Sequence, residues 1–178
     1  MTTQSSLCGN EYPLSQNVIR DIQRASRAST LPSRKLFIDF ETFYGTKYSL
    51  RSQELNYTDY VRHPKFQVLC VGVKINDMPT QVMRPDEFQD FVDTTNWADV
   101  TVIAHNMMFD GLILAEKYDI RPHRWVCTLS LARAVFQGSV SNNLEDLAKA
   151  LGLKPKGDAI LHLKDRTYES LSAQEWFD

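Results

Sequence analysis

The stretch Lys35-Leu-Phe-Ile-Asp-Phe-Glu-Thr42 governs how this chain is read. Lys35 to Phe40 is a short apolar run of the kind that forms a central strand. Its two acids, Asp39 and Glu41, stand two residues apart, and side chains at i and i+2 of a strand point to the same face. Two carboxylates therefore project together from the end of an apolar strand. Such a pair is costly, because buried acids need a partner and like charges raise each other's pKa. A divalent cation answers both problems, and hard oxygen donors suit Mg2+ or Mn2+. The alternative is a strand-end pair that is solvated, or matched by Arg34 or Lys35.

Outward from that strand the pattern becomes mixed. Phe66 to Ile75 is β-branched and long enough for a second strand. Asn76-Asp77 then turns the chain into a third strand at about Thr80–Met83, a connection short enough for an antiparallel hairpin. Pro85 opens a helix through Phe88, Phe91 and Val92. Val100 to Ala104 reads as a short buried strand, followed by a helix from about Met107 to Tyr118. Later helices are expected at Thr128–Phe136 and Asn143–Leu151, the second closed by Gly152. Strands alternating with helices after an opening meander indicate an α/β fold, a mixed sheet flanked by helices. If the first and fourth strands are adjacent and parallel, they end on the same sheet edge, where ligands bind in open α/β sheets.

The turn after the fourth strand carries His105-Asn-Met-Met-Phe-Asp110. Asn106 between a strand and a helix has an N-cap role open to it, and Asp110 in the first turn could simply complement the helix dipole. That turn would also bring Asp110 to the edge that holds Asp39 and Glu41. Three carboxylates would then converge where metal is the easy compensation.

Composition sets the outer bounds. The 178 residues allow one domain with a real core, and 43% hydrophobic with 24% charged residues is ordinary globular composition. No apolar run approaches the roughly 18 residues of a membrane span. The start of the chain does not read as a secretory signal, so a cytoplasmic setting is expected. Cys8, Cys70 and Cys127 are odd in number and widely spaced, which fits a reducing compartment and neither a disulfide framework nor a zinc site. A net charge of −2 argues against gripping duplex DNA by bulk electrostatics. It leaves nucleic acid open, since bound cations reverse the local field. Six Lys/Arg against two acids between Arg121 and Lys156 fit a solvated face at least as well as a phosphate track. Residues 1–33, rich in Ser, Thr, Gln and Arg, read as a flexible extension with one short amphipathic helix from about Ser15 to Ala28. The domain proper is expected over 34–178. His105 and His63 are read as packing or hydrogen-bonding residues, and Trp97, Trp125 and Trp176 as core or rim packing. Phe109 could face core or substrate.

Asp39-Phe-Glu41 resembles the first motif, and Asn106-x-x-Phe-Asp110 the second, of the DnaQ-like (DEDD) 3′→5′ exonucleases, in particular the proofreading domain of phage-type family-A DNA polymerases. The similarity runs over roughly residues 35–175 and includes Trp125-Val-Cys-Thr-Leu-Ser-Leu-Ala-Arg133, Asn143-Leu-Glu-Asp-Leu-Ala148 and Leu151-Gly-Leu-Lys154. The resemblance implies a ribonuclease-H-like sheet of about five strands and a two-metal mechanism, with ions roughly 3.5–4 Å apart. Asp39 would bridge both metals, Glu41 would ligate the first and help place the attacking water, and Asp110 would serve the second. Thr42 and Asn106 would sit against the terminal nucleotide. The implied substrate is the 3′ end of single-stranded DNA, the implied product a nucleoside monophosphate, and the implied partner a DNA polymerase domain or subunit.

One departure qualifies this. The family's third motif, a Tyr or His four or five residues before a fourth carboxylate, is not found after Asp110. His162 lies three residues before Asp165, and Asp178 has Gln174 where a Tyr is required. Ala173-Gln-Glu-Trp-Phe-Asp178 resembles the lead-in to that motif, so the chain is expected to stop just short of it. The alternative function is then a catalytically incomplete module that binds nucleic acid or a polymerase.

Overall fold

Residues 34–50, 55–154 and 163–171 are described in a computed structural model. The expectations for residues 1–33, for His162 and for the segment 173–178 with Trp176 lie outside these residues. The described residues fall into two compact units, one of 34–131 with 163–171 and the other of 132–154.

The first unit is built on a five-stranded sheet. Strand β1 spans Arg34–Thr42, and its burial alternates: Leu36, Ile38, Phe40 and Thr42 are buried, whereas Phe37 and Asp39 are exposed. This is the period-two pattern of a strand with one face on a core. Strands β2 (Val68–Ile75) and β3 (Gln81–Met83) follow as an antiparallel hairpin, turned by Asn76 at φ +48°, a left-handed conformation that Asn tolerates. Strands β4 (Val100–Ala104) and β5 (Arg124–Cys127) join on the other side, both parallel to β1. The order across the sheet is β3-β2-β1-β4-β5, so β1 is central, between an antiparallel and a parallel neighbour.

Three helices accompany the sheet. Helix α1 (Tyr57–Arg62) is capped by Asn56, whose side chain accepts from the Asp59 amide; α2 runs Pro85–Thr94 and α3 runs Met107–Lys117. Their buried residues, among them Val61, Phe88, Val92, Ile113 and Leu114, join Leu36, Ile38, Phe40, Val71, Val73 and Val102 in one core cluster. Phe88 is fully buried and meets Phe40 (5.4 Å) and Tyr118 (5.0 Å) edge to face, the geometry that aromatic quadrupoles favour. Asp39 and Glu41 lie on the strand face turned away from these residues. The segment 163–171 runs beside the loop after β1: Lys164 bridges Tyr44, and the Asp165 amide donates to the Tyr44 carbonyl at 2.8 Å. The Asp165 carboxylate lies over Gly45, where a Cβ would displace it.

Helix α4 (Thr128–Phe136) leads into the second unit, where Ala132, Phe136 and Leu147 form a small core with Val140 packed on it. Helix α5 (Leu144–Ala150) begins on Asn143, whose side chain accepts from the Asp146 amide. It ends in a left-handed Gly152 (φ +66°), with Gly152 N–H donating to Lys149 O (3.1 Å) and Leu153 N–H to Ala148 O (2.8 Å). That pair of bonds is the Schellman closure, and it explains why a glycine stops the helix.

Candidate functional site

Asp39 and Glu41 occupy one face near the carboxyl end of β1, opposite Gly72 and Cys70 of β2. A Cβ at Gly72 would lie 3.9 Å from the Cβ of Asp39, so the glycine leaves the surface beside that carboxylate open. The acids make themselves felt across the ladder. Burial pushes the Cys70 thiol up to about 12, and the charges of Glu41 and Asp39 add to the shift.

Asp110 reaches the same edge from α3. Pairing of β1 with β4 ends at Phe37 and Ile103, and three residues later the Phe40 amide donates to Asp110 Oδ1 at 3.1 Å. The side chain of Asp110 thus continues the hydrogen bonding of β1 past the end of β4. Asp110 is only 2% exposed, and its carboxyl is pushed up to about 7. Burial is the main cause; the Phe40 amide and its own amide oppose it, and the charges of Asp39 and Glu41 add to it. The three acids therefore sense one another electrostatically. Among the described residues, however, no three His, Cys, Asp or Glu side chains are gathered into a ready metal cage. None of the ion pairs among those residues involves Asp39, so neither Arg34 nor Lys35 neutralises it. An all-oxygen donor set with one buried, electrostatically strained acid fits a hard divalent cation. Asp39, Glu41 and Asp110 would have to draw together around it.

Thr42 and Asn106 are held differently from the acids. Thr42 is buried on the core face of β1, with Oγ1 2.9 Å from the Tyr60 hydroxyl. Tyr60 spends its one proton on the Phe43 carbonyl (2.5 Å), so Thr42 is the donor to Tyr60. Asn106 occupies the N-cap position of α3, as its place in the sequence indicates, but it does not cap the helix. Its backbone is left-handed (φ 68°, ψ 55°) and its side chain makes no capping bond. Instead Nδ2 donates to the Tyr57 hydroxyl at 3.0 Å. The capping expectation failed because an N-cap side chain reaches its helix from extended backbone, and here the backbone is not extended.

The remaining candidates are structural. His105 Nδ1 lies 3.0 Å from Thr128 Oγ1, and His63 Nδ1 accepts from the Lys65 amide at 3.0 Å. Trp97 donates from its indole nitrogen to Val92 O (3.1 Å) and packs edge-on against Phe91. Phe109 turns its half-buried ring toward Tyr57 and Tyr60, both at 5.9 Å. Cys127, at the end of β5, lies close to the start of α3. Burial alone would raise its thiol, but hydrogen bonds from Ser130 and from the Met107 and Asn106 amides outweigh it and bring the value down to about 7. Sequence reasoning missed Tyr57 and Tyr60. The available signal was Asn56-x-x-Asp59 followed by apolar Tyr60 and Val61, a capped single turn too short to show helical periodicity.

Neither a family model nor any curated protein matches the sequence. Solved structures do. The chain is similar to a nuclease in its apo form (TM-score 0.55, 17% identity, over 86% of this chain and 66% of that one). It is also similar to Brucella melitensis NrnC (TM-score 0.51, 16% identity, 83% and 64%), and to the same protein with bound Mg2+ (TM-score 0.50, 17% identity, 83% and 64%). The chain spans about two thirds of the length of these proteins. At such identities the likeness is one of fold alone, that of an α/β fold whose sheet in this chain has five strands.

Proposed function

We propose that this chain is a 3′→5′ exonuclease module of the proofreading type. It would hydrolyse the terminal phosphodiester of single-stranded DNA and release nucleoside monophosphates. The observation that carries this reading is the Phe40 amide bond to Asp110 Oδ1, which ties that acid to the end of the strand that bears Asp39 and Glu41. The likeness in fold to nucleases, one of them solved with Mg2+, supports it. Asp39, Glu41 and Asp110 would hold two divalent cations, which when bound lower the pKa of a water and stabilise a leaving oxygen. Asp110 must be ionised for this, so protons compete with the cations for it as pH falls below about 7. Asn106, half-buried at the head of α3, would meet the terminal nucleotide together with the end of β1 at Thr42. The setting would be cytoplasmic and the partner a DNA polymerase domain or subunit.

Asp39→Ala, assayed on a 3′-labelled oligonucleotide with Mg2+ or Mn2+, should lose at least about 100-fold in activity, the scale of a removed metal-site group. Equal cleavage by parent and variant would remove the assignment. Matched DNA and RNA oligomers in competition decide the sugar preference.

A second reading is a catalytically incomplete module that binds nucleic acid or a polymerase without cutting. What favours it is the absence of a ready cage among the described residues. It predicts binding that is insensitive to metal and no release of mononucleotide.

A further inference from the structure

We propose that α1 is the positioning element of the candidate site, with Tyr57 fixing the Asn106 carboxamide for the terminal nucleotide; this rests on the nuclease reading above. Two observations on Asn106 lead there, and the anchoring of α1 adds a third. Asn106 has a left-handed backbone and leaves its own helix uncapped, although the usual work of an Asn at that position is to cap it. Asn tolerates that conformation, as Asn76 does, so what sets Asn106 apart is where its side chain is bound. The bond that holds the side chain is Nδ2 to Tyr57 Oη at 3.0 Å, linking positions 49 residues apart.

Tyr57 in turn is anchored. Its ring lies against Phe109, one residue before Asp110, Tyr60 meets the same ring, and the exposed Arg62–Glu116 pair also joins α1 to α3 at 2.9 and 3.0 Å. Tyr60, three residues on and on the same side of the helix, is buried and receives the Thr42 hydroxyl. One six-residue helix therefore grips the side chains of Thr42 at the end of β1 and of Asn106 at the start of α3. These are the two elements that carry the three acids. A carboxamide left without the phenol would rotate freely about its last torsion, and its orientation would have to be fixed each time a nucleotide bound. With the phenol that ordering is already in place.

Tyr57→Phe removes the hydroxyl and keeps the ring on Phe109. It should weaken binding of a 3′-hydroxyl single-stranded DNA oligonucleotide, measured in Ca2+, by about 3- to 10-fold, the scale of one hydrogen bond. Turnover in Mg2+ at saturation should change by less than about twofold, since the lost interaction serves binding. Asn106→Ala should weaken binding similarly, and the double variant no more than the larger single effect. In the free protein, the Asn106 side-chain amide signals should move in Tyr57→Phe, which requires no activity. Effects that multiply in the double variant, or amide signals that stay in place, overturn the proposal. A parent chain that binds the oligonucleotide but releases no mononucleotide removes the nuclease reading, while the binding cycle still decides for or against Tyr57. A parent chain that does not bind the oligonucleotide overturns both.

Discussion

Asp110 is buried against the Phe40 amide, and its carboxyl titrates near 7 where an exposed aspartate has 3.8. Because the folded-state pKa is raised, the unfolded chain gives up this proton first as pH climbs. Between about pH 4 and pH 7 the folded state thus holds more protons, and stability falls through that window. Above it the full penalty is present, on the order of a few kcal/mol. Asp110→Asn keeps an oxygen for the Phe40 amide and abolishes the ionisation. In metal-free buffer the variant should match the parent near pH 4 and exceed it by a few kcal/mol at pH 8. Urea unfolding at the two pH values measures this, and a gain independent of pH would refute the burial argument.

At the scale of elements, the ends of α5 and the contacts of α2 carry definite expectations. Gly152 adopts φ +66° to close the Schellman bonds, a conformation that costs an L side chain roughly 1 kcal/mol. Gly152→Ala should therefore destabilise α5 by about that amount, seen as faster amide exchange over Leu147–Leu151 with the sheet unaffected. Phe88, fully buried on α2 against Phe40 and Tyr118, is a different case. Phe88→Ala leaves a cavity beneath β1 and should cost about 3–5 kcal/mol in the sheet unit. A loss below 1 kcal/mol in thermal or denaturant unfolding would mean that the helix is not packed as described.

For the whole molecule the acids couple metal, proton and fold. A cation bound by Asp39, Glu41 and Asp110 stabilises the folded state by mass action, about 2.7 kcal/mol at a concentration of 100 Kd. Mg2+ or Mn2+ should raise the Tm of the parent chain and leave that of Asp39→Ala nearly unchanged. Protons compete for Asp110, so the metal-induced shift should be full near pH 8 and shrink as pH falls below about 7. Calorimetric scans with and without metal at pH 5.5 and 8 provide the check; an equal shift in parent and variant would place the ion elsewhere.

Local chemistry was legible from the sequence. The apolar run of β1, the shared face of Asp39 and Glu41, the hairpin turn at Asn76, Pro85 opening a helix and Gly152 closing one depend on residues within a few positions of each other, where period and turn preference act directly. The mixed α/β sheet followed from the order of those elements. Other features came only with tertiary contact. Strand β5 has four residues and counts as a strand because β4 pairs with it, and α1 is too short to show a period and packs Tyr57 and Tyr60 on Phe109 of α3. That Asp110 bonds the Phe40 amide, that Thr42 turns into the core and that Asn106 serves Tyr57 and not its own helix were likewise decided by chain segments 70, 18 and 49 residues apart. Sequence alone led to the expectation of three acids at one edge of a sheet; only the packing of α3 beside β1 decided that Asp110 is the buried one, its carboxyl pushed up to about 7.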